Sequence, residues 1–208
     1  AAALGVHVVE DCEVTGLQTA GGLATGVETT RGYVQAGRIV FAVAGHTGAI
    51  GTLLGTQLPV ETHQLQAMVT EPIKPLLHTV LVYFYGHAET YICQSDRGGL
   101  VMGGALDGCP TYAREGQWDR LEEVVQGAVA LLPQIGALRL LRQWAGTNDM
   151  TMDGSPIIDR LRWDNVFLSG GWCYGGFKAI PAAGAACASF VATGRAPALI
   201  EAYRLSRF

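Results

Sequence analysis

The apolar and polar positions at the start of the chain form short β-type segments separated by turn residues. They predict hairpin turns at Gly21 with Gly22 and at Arg31 with Gly32, between strands over residues 6–9, 12–17, 26–30 and 33–36. The run RIVFAVA at residues 38–44 is continuously apolar, which predicts a buried strand that ends before His46. A buried strand that ends in a small-residue turn is common where an α/β sheet contacts a ligand.

Between about residue 60 and about residue 150 the pattern changes to longer β-type segments. Alternating or β-branched stretches predict an antiparallel sheet from residues 63–71, 79–86, 89–96 and 98–106. Apolar residues from Trp118 to Leu132 then recur at helical spacing, and Pro133 is expected to end that helix. Residues 138–147 return to a strand pattern.

The last part of the chain predicts a buried strand, a glycine-rich loop and a helix of small residues. The strand covers residues 165–170, the helix covers residues 180–192, and Pro181 is expected in its first turn, which puts the helix start close to Lys178. A lysine in a first turn opposes the helix dipole, and such a local exception often marks a site. The loop therefore predicts a site that receives an anion, with backbone N–H groups and one cation close together.

These patterns predict a mixed α+β or α/β fold in which an α/β part accompanies a β-rich part with a large antiparallel or mixed sheet and a long helix. The opening residues AAAL before Gly5 are typical of the last turn of a helix. We therefore expect the chain to be the C-terminal part of a longer protein. A short, frayed opening turn is the alternative interpretation.

Composition narrows the classes of function. The chain has 208 residues, of which 49% are hydrophobic and 15% are charged, so it is expected to form a packed globular protein. A net charge of -4 offers no basic surface for nucleic acid. The longest apolar stretches, such as residues 182–193, are shorter than the roughly 20 residues of a membrane-spanning helix, and no signal peptide is recognisable, so no membrane contact is expected.

The cysteines and the absent motifs further limit the classes of function that the chain can have. Five widely spaced cysteines without a C-x-x-C pair predict reduced thiols in the cytoplasm and no zinc site. The chain contains no G-x-G-x-x-G, H-E-x-x-H or G-x-S-x-G motif. Considered by pattern alone, His46 and His63 are each expected to be structural, because a lone histidine at a strand edge most often is.

Four quoted stretches carry a family resemblance that spacing alone does not provide. In chain order they are HQLQAMVTEPIKP (63–75), LLRQWAGTNDMTMDGSPIID (140–159), GGWCYGGFKAIPAAG (170–184) and YRLSRF (203–208). Together they resemble the beta subunits of heterotetrameric sarcosine oxidases, a group within the D-amino-acid-oxidase-like family of flavoenzymes. The resemblance covers essentially the whole chain. Cys173 and Tyr174 depart from it, since the group usually has glycine and threonine there, which leaves the substrate open.

The resemblance implies a division into two domains. Residues 1–58 and 154–208 would be the remnant of an FAD-binding domain whose N-terminal dinucleotide-binding βαβ unit is missing. Residues 59–153 would form the substrate-binding domain. The resemblance also implies oxidative demethylation of an N-methyl amino acid by hydride transfer to the flavin.

The implied cofactor is noncovalent FAD, because Gly146 stands where monomeric relatives carry the cysteine that links FAD covalently. FAD would be weakly held or absent in this chain alone. Backbone N–H groups of the loop would stabilise charge on the flavin carbonyl edge. The residues assigned to cofactor binding are Gly45, His46, Gly171, Gly175, Gly176 and Phe177.

Lys178 is assigned to catalysis, as the cation that binds the substrate carboxylate. Val101 stands near the position where relatives carry a basic residue that activates oxygen, which favours passing electrons onward to FMN. That FMN would lie at a subunit interface, on a histidine upstream of Ala1. Expected partners are therefore the substrate and other subunits or further copies of the chain. The alternative function is a truncated, flavin-free interaction or structural module.

Overall fold

The computed structural model describes residues 1–86 and 88–208. Their strands are β1 Val14–Ala20, β2 Leu23–Thr29, β3 Gly32–Gln35, β4 Ile39–Phe41, β5 Val60–Pro72, β6 Leu81–Tyr85, β7 Ala88–Gln94, β8 Gly99–Gly104, β9 Leu140–Thr151, β10 Ile157–Arg160 and β11 Val166–Gly170. Their α-helices are α1 Thr47–Leu53, α2 Trp118–Leu131 and α3 Gly176–Thr193. Short 3-10 helices cover Ala2–Leu4, Pro133–Ala137, Cys173–Gly175, Ala198–Tyr203 and Leu205–Arg207.

The chain divides into two compact units. The first consists of Ala1–Val43, Thr47–Val60 and Thr151–Phe208, and the second of Ala44–His46 and Glu61–Met150. The predicted mixed α+β fold with a large sheet is confirmed. The FAD-binding and substrate-binding roles assigned to the two parts, with their predicted boundaries, stay predictions.

The first unit contains two three-stranded sheets. Strands β1, β2 and β3 form an antiparallel meander, and the hairpin turns predicted from its glycines are present. Gly21 and Gly22 connect β1 to β2 with φ of 59° and 82°, which only glycine adopts without strain. The second sheet has the order β10, β11, β4, and β4 runs parallel to β11.

Most side chains on both faces of the β10–β11–β4 sheet are buried, although Val40 is exposed, which explains the apolar pattern of β4 and β11. On one face Phe41 and Leu168 belong to a core that includes Leu54 beside α1. On the other face Phe167 packs edge to face against Phe190 of α3, with ring centroids 5.1 Å apart.

Asn165 links distant parts of the chain at the start of β11. Its side-chain amide donates to the carbonyl oxygens of Ala24 and Gly37, at 2.7 and 3.0 Å. Its side-chain oxygen accepts from the N–H of Ala24 at 2.9 Å. One side chain therefore joins the meander, the approach to β4 and the start of β11.

The second unit is built on a five-stranded sheet of order β6, β7, β8, β5, β9. The pairings β6–β7, β7–β8 and β5–β8 are antiparallel, as predicted. Met68, Ile92 and Met102 are fully buried on one face and pack with Val124 and Ala128 of α2. Helix α2 ends before Pro133, as predicted, but its first residue, Trp118, is 80% exposed and does not join the predicted apolar face.

Three local predictions in the first part of the chain are wrong. Residues 6–9 form no strand, and Val6, Val8 and Val9 are exposed, since no described strand pairs with this segment. The predicted strand over residues 38–44 is regular only in β4. The predicted small-residue turn is shorter than expected, because the chain turns at Ala44 and Gly45, where Gly45 has φ 82°, and helix α1 already begins at Thr47.

The last helix begins earlier than predicted. Helix α3 starts at Gly176, two residues before Lys178, where its start was expected, so Pro181 lies in its second turn instead of its first. Pro181 has no N–H, so the carbonyl of Phe177 receives no helical hydrogen bond from it. The weak signal of glycine in a helix hid the true start, because glycine seldom favours helix.

One helical segment of the described residues, Cys173–Thr193, is long and apolar enough to cross a membrane by its length and composition alone. The prediction that every apolar stretch is too short is therefore wrong for this segment. A single such helix is weak evidence, because helices of soluble proteins pass the same test. The expected absence of membrane contact stays a prediction.

Two arginines anchor the C-terminus within the first unit. Arg204 donates to the buried carboxylate of Asp159 at 2.6 Å, and Arg207 donates twice to the carboxylate of Asp153, at 2.7 and 3.1 Å. The side-chain hydrogen bond from Arg207 is the main reason that the pKa of Asp153 lies far below its usual range.

Replacing Arg207 by methionine is expected to reduce the free energy of unfolding at neutral pH. It is also expected to make that free energy depend less on pH in the acidic range. A lowered folded-state pKa of Asp153 stabilises the fold above the unfolded value of about 4 and loses this effect as the pH falls towards the folded value. The effect is modest, because this ion pair is partly exposed. Urea unfolding at pH 7 and at pH 3 measures it, with Arg207→Lys as control. A difference that does not change with pH would contradict this role of Asp153.

Candidate functional site

The glycine-rich loop leaves β11 through a tight, glycine-dependent turn. Gly171 has φ 63°, and a Cβ built on it would lie 2.6 Å from Cγ2 of Thr151. Cys173 also has a positive φ, 48°, where glycine is normally preferred. Its Sγ lies 3.4 Å from the N–H of Thr151 and 3.5 Å from the carbonyl oxygen of Gly171. The loop is thus attached to the end of β9 by its own thiol.

The next two glycines have ordinary backbone angles. Gly175 has φ -89° and Gly176 has φ -56°, so neither conformation requires glycine. The N–H of Gly175 donates to the carbonyl oxygen of Trp172 at 2.9 Å and is therefore occupied within the loop. The prediction that this N–H faces a flavin stays a prediction. A Cβ on Gly175 would meet nothing within 4 Å, so the backbone borders open space.

Phe177 and Lys178 lie in the first turn of α3, where backbone N–H groups lack the acceptor of a preceding helical turn. The ring of Phe177 is 90% exposed. The Lys178 ammonium donates to the carbonyl oxygen of Tyr174 at 3.0 Å, which offsets its unfavourable place at the positive end of the helix. The structure thus places an exposed cation beside an exposed aromatic ring at the start of α3.

Replacing Gly171 by alanine is expected to cost about 1–3 kcal/mol of stability, because the new side chain is strained at φ 63° and collides with Thr151. Gly175→Ala is the matched control. It adds the same methyl group at an ordinary φ and into open space, so stability should stay constant or rise slightly. Chemical denaturation of both variants measures the difference. Equal losses of stability would contradict this account of the turn.

Gly45 and His46, the other two residues assigned to cofactor binding, lie in the second unit. Gly45 is buried with φ 82°, and Thr147 fills the space that a Cβ would need. The N–H of Gly45 donates to the buried carboxylate of Asp149 at 2.8 Å, and Thr62 donates to the same carboxylate at 2.9 Å. Gly45 is therefore required by the conformation of this turn.

His46 lies directly after that turn. Its exposed imidazole stacks on Tyr112, with ring centroids 5.6 Å apart and an interplanar angle of 26°. His63, interpreted as structural, is buried and places Nδ1 at 2.8 Å from the carbonyl oxygen of Asp107. Its Nε2 lies 3.3 Å from the carboxylate of Glu61.

The predicted site residues thus form two local groups, one in each unit. Gly171, Gly175, Gly176, Phe177 and Lys178 share the loop and the start of α3, whereas Gly45 and His46 share the turn before α1. The sequence analysis missed the residues that hold these groups in place, which are Thr62, Tyr112, Asp149 and Thr151. An acidic residue inside the strand pattern of TNDMTMD was the available signal for Asp149.

The remaining candidates are less specific. Gly146 lies on β9 with open space beside it. All five cysteines are free, and burial raises the pKa of the Cys93 and Cys187 thiols, which keeps them protonated at neutral pH. Within residues 1–86 and 88–208, no group of three or more His, Cys, Asp or Glu side chains could hold a metal ion.

Comparison with known proteins assigns a family to this geometry. The family model described as FAD dependent oxidoreductase matches residues 1–190. "Sarcosine oxidase subunit beta" of Rhizobium meliloti (strain 1021) is 44% identical over 204 residues, which are 98% of this chain and 49% of the relative. The protein of the same name from Rhodobacter capsulatus is 42% identical and is matched over 99% of this chain and 49% of its own length.

Solved structures show the same fold. L-proline dehydrogenase from P. horikoshii matches with a TM-score of 0.88 and 30% identity, over 96% of this chain and 54% of that chain. Glycine oxidase from Geobacillus kaustophilus matches with a TM-score of 0.86 over all of this chain and 55% of that one, and at 21% identity it shows the fold alone. The chain spans about half the length of the curated relatives it matches, and it corresponds to their C-terminal half.

Proposed function

Since the chain belongs to the FAD dependent oxidoreductase family, we propose that it works in an amine oxidoreductase that oxidatively demethylates an N-methyl amino acid. The observation that carries the proposal is the 44% identity to a sarcosine oxidase subunit beta over 98% of the chain. The 204 matched residues include the loop and the start of α3, where an exposed cation is available.

The loop fits the carbonyl edge of a flavin ring. The backbone borders open space at Gly175, and the first turn of α3 supplies N–H groups and the positive end of a helix dipole. Phe177 and Gly176 are the residues whose N–H groups would hold the ring, because the N–H of Gly175 is occupied. When bound, FAD would supply the hydride-accepting chemistry.

Lys178 would bind and orient the substrate. Its ammonium is held only by one backbone carbonyl among the contacts described, so a substrate carboxylate could replace or share that contact. A carboxylate is the stronger acceptor, because charge-assisted hydrogen bonds are about twice as strong as neutral ones. Lys178 would thereby fix the amino acid through its carboxylate and leave the N-methyl group to the flavin side.

Electron transfer to a second flavin belongs to the same proposal. Val101 lies on β8 and offers no positive charge to activate oxygen. The two relatives are named as subunits, which supports further subunits around this chain and an FMN at one of their interfaces. The five cysteines are free, which supports the proposal that the protein works in the cytoplasm.

A second candidate function is a flavin-free interaction or structural module. It is favoured by the share of the relatives that this chain spans, 49%, and by the exposure of α3. Such a module would keep the fold of the family and use its surface instead of redox chemistry.

One experiment separates the two candidates. The chain would be co-expressed with the N-terminal half of the Rhizobium meliloti relative, and sarcosine would be added to the purified complex without oxygen. Loss of the visible flavin absorbance is the result expected for the amine oxidoreductase. A complex that holds FAD but is not reduced by sarcosine would refute the proposed substrate, and a complex without FAD would favour the module.

A further inference from the structure

The carbonyl oxygen that holds Lys178 belongs to the residue directly after Cys173. The Lys178 ammonium donates to the carbonyl oxygen of Tyr174 at 3.0 Å. Cys173 has φ 48°, in the left-handed region that residues other than glycine rarely adopt. A rotation of the backbone at Cys173 would move the carbonyl of Tyr174, because the two residues are adjacent. The position of the Lys178 ammonium therefore depends on what keeps Cys173 in this conformation.

Thr151 holds Cys173 through two contacts. The N–H of Thr151 donates to Sγ of Cys173 at 3.4 Å, and Oγ1 of Thr151 lies 3.5 Å from the same sulfur. Thr151 is the last residue of β9, and it is buried. A thiol is a weak hydrogen-bonding group, so these contacts fix the loop only if Thr151 is itself held firmly.

The hydroxyl of Thr151 is held by the turn that follows β9. Its Oγ1 lies 2.8 Å from the carbonyl oxygen of Ser155 and 3.2 Å from the carboxylate of Asp153. A hydroxyl donates one proton, and the shorter distance assigns that proton to Ser155. The N–H of Ser155 donates to the carboxylate of Asp153 at 3.1 Å. Asp153 and Ser155 thus form a closed turn, the 153–155 turn, against which the hydroxyl of Thr151 is fixed.

Arg207 binds both acceptors of the 153–155 turn. Its guanidinium donates to the two carboxylate oxygens of Asp153, at 2.7 and 3.1 Å, and to the carbonyl oxygen of Ser155 at 2.8 Å. A planar guanidinium presents its donors in a rigid fork, so it fixes the relative positions of these acceptors. The Arg207 side chain is 18% exposed. The end of the chain is therefore connected by hydrogen bonds to the glycine-rich loop.

We propose that Arg207 is a positioning residue for Lys178. Arg207 fixes the 153–155 turn, and this turn fixes Thr151. Thr151 in turn holds Cys173, and with it the carbonyl that orients the Lys178 ammonium. All of these residues lie in the first unit. The proposal rests on the proposed function only for the use of that ammonium, which is to bind a substrate carboxylate.

Arg204 provides a matched comparison in the same C-terminal segment. It donates to the buried carboxylate of Asp159 at 2.6 Å. The other contacts described for Asp159 involve the N–H groups of Arg160 and Leu205, and none of them reaches the loop. Removing the Arg204 guanidinium therefore weakens the anchoring of the C-terminus without removing a contact of the 153–155 turn.

The reactivity of side chains in the 208-residue chain alone tests the positioning. The chain has two lysines, Lys74 and Lys178, and five cysteines, so peptide mass spectrometry resolves the labelling of each. Arg207→Met should accelerate the alkylation of Cys173 by iodoacetamide and the acetylation of Lys178 by acetic anhydride. We expect about two- to fivefold, the factor by which losing a partly exposed ion pair favours local opening. The exposed residues Cys109 and Lys74 are the internal references.

Two further variants separate positioning from general anchoring. Arg204→Met should leave both labelling rates as they are in the parent chain. Thr151→Val keeps the shape of the buried side chain and removes its hydroxyl, so it should accelerate both reactions as Arg207→Met does. Arg207→Lys keeps a positive charge without the fork and should give rates between those of the parent chain and Arg207→Met.

Three outcomes would overturn the proposal. Unchanged labelling of Cys173 and Lys178 in Arg207→Met would show that the contacts do not reach the loop. Equal acceleration by Arg204→Met would show that any loosening of the C-terminus has the same effect. Cys187 packs against the core beneath α3, so an equal acceleration of its alkylation would show general opening of the unit instead of a change in the loop.

Substrate binding provides a second readout, in the FAD-loaded complex with the N-terminal half of the Rhizobium meliloti relative. In anaerobic flavin reduction, Arg207→Met should raise the Kd for sarcosine about two- to fivefold and leave the limiting rate unchanged. It should add no further loss to Lys178→Met, because both changes act on one contact. Additive losses would overturn the proposal. Unchanged sarcosine binding in Lys178→Met would instead refute the proposed function of Lys178, while the labelling rates still decide whether Arg207 positions it.

Discussion

The 208-residue chain purified alone is expected to contain little or no FAD after gel filtration. Two-point recognition is the reason, since a dinucleotide is held at both its flavin ring and its pyrophosphate. The chain offers the loop and the start of α3 to the ring. It has no G-x-G-x-x-G sequence for the pyrophosphate and spans 49% of the curated relatives.

Absorbance of the purified chain at micromolar concentration measures the FAD content, and protein content gives the ratio. The control is the co-expressed complex with the N-terminal half of the Rhizobium meliloti relative, which should approach one FAD per complex. Stoichiometric FAD in the chain alone would contradict the prediction and would require a pyrophosphate site within these residues.

The second expected result concerns Lys178→Met in the FAD-loaded complex. The change keeps most of the side-chain bulk and removes the ammonium that is assigned to the substrate carboxylate. Loss of a charge-assisted hydrogen bond costs about 1.5–3 kcal/mol, so sarcosine should bind about ten- to a hundredfold more weakly. Folding should be retained, because Lys178 is exposed and is described with a single backbone contact.

Reductive half-reactions under anaerobic conditions test this assignment. Both proteins would be compared with sarcosine and with an N-methyl amine of similar size that lacks the carboxylate. The amine should be almost indifferent to the substitution, since it has no group for the ammonium to bind. Equal losses for the two substrates would mean that Lys178 acts on the flavin or on the fold, and its assignment to substrate would have to be given up.

Local sequence patterns correctly predicted the elements that depend on residues close together in the sequence. The two glycines between β1 and β2 predicted a hairpin, and Pro133 predicted the end of α2. The segment with Val6, Val8 and Val9 also has the pattern of a strand. A strand needs a second strand to pair with, and the local pattern does not indicate whether one is available. The mixed fold class could be predicted because the long segments of the large sheet are strongly patterned.

The candidate site was harder to predict than the fold. The sequence indicated the loop and Lys178, because glycines and a cation adjoin a helix start. It could not indicate that Trp172 occupies the N–H of Gly175, since a 3-10 turn and an open loop can share one composition. Nor could it indicate that Asp149 holds Gly45, because the two residues meet only through tertiary structure.

The sequence separation of the contacts of Asn165 leads us to expect an order of folding. Its amide reaches Gly37, 128 positions earlier in the chain. Strand β11 pairs with β4 across a nearly equal separation, with most of the second unit between them. Closing a loop of that length is entropically slow, whereas Glu61–Met150 is continuous and rich in neighbouring antiparallel pairs. During synthesis the five-stranded sheet of the second unit can fold on the ribosome before β11, the partner of β4, has been synthesised.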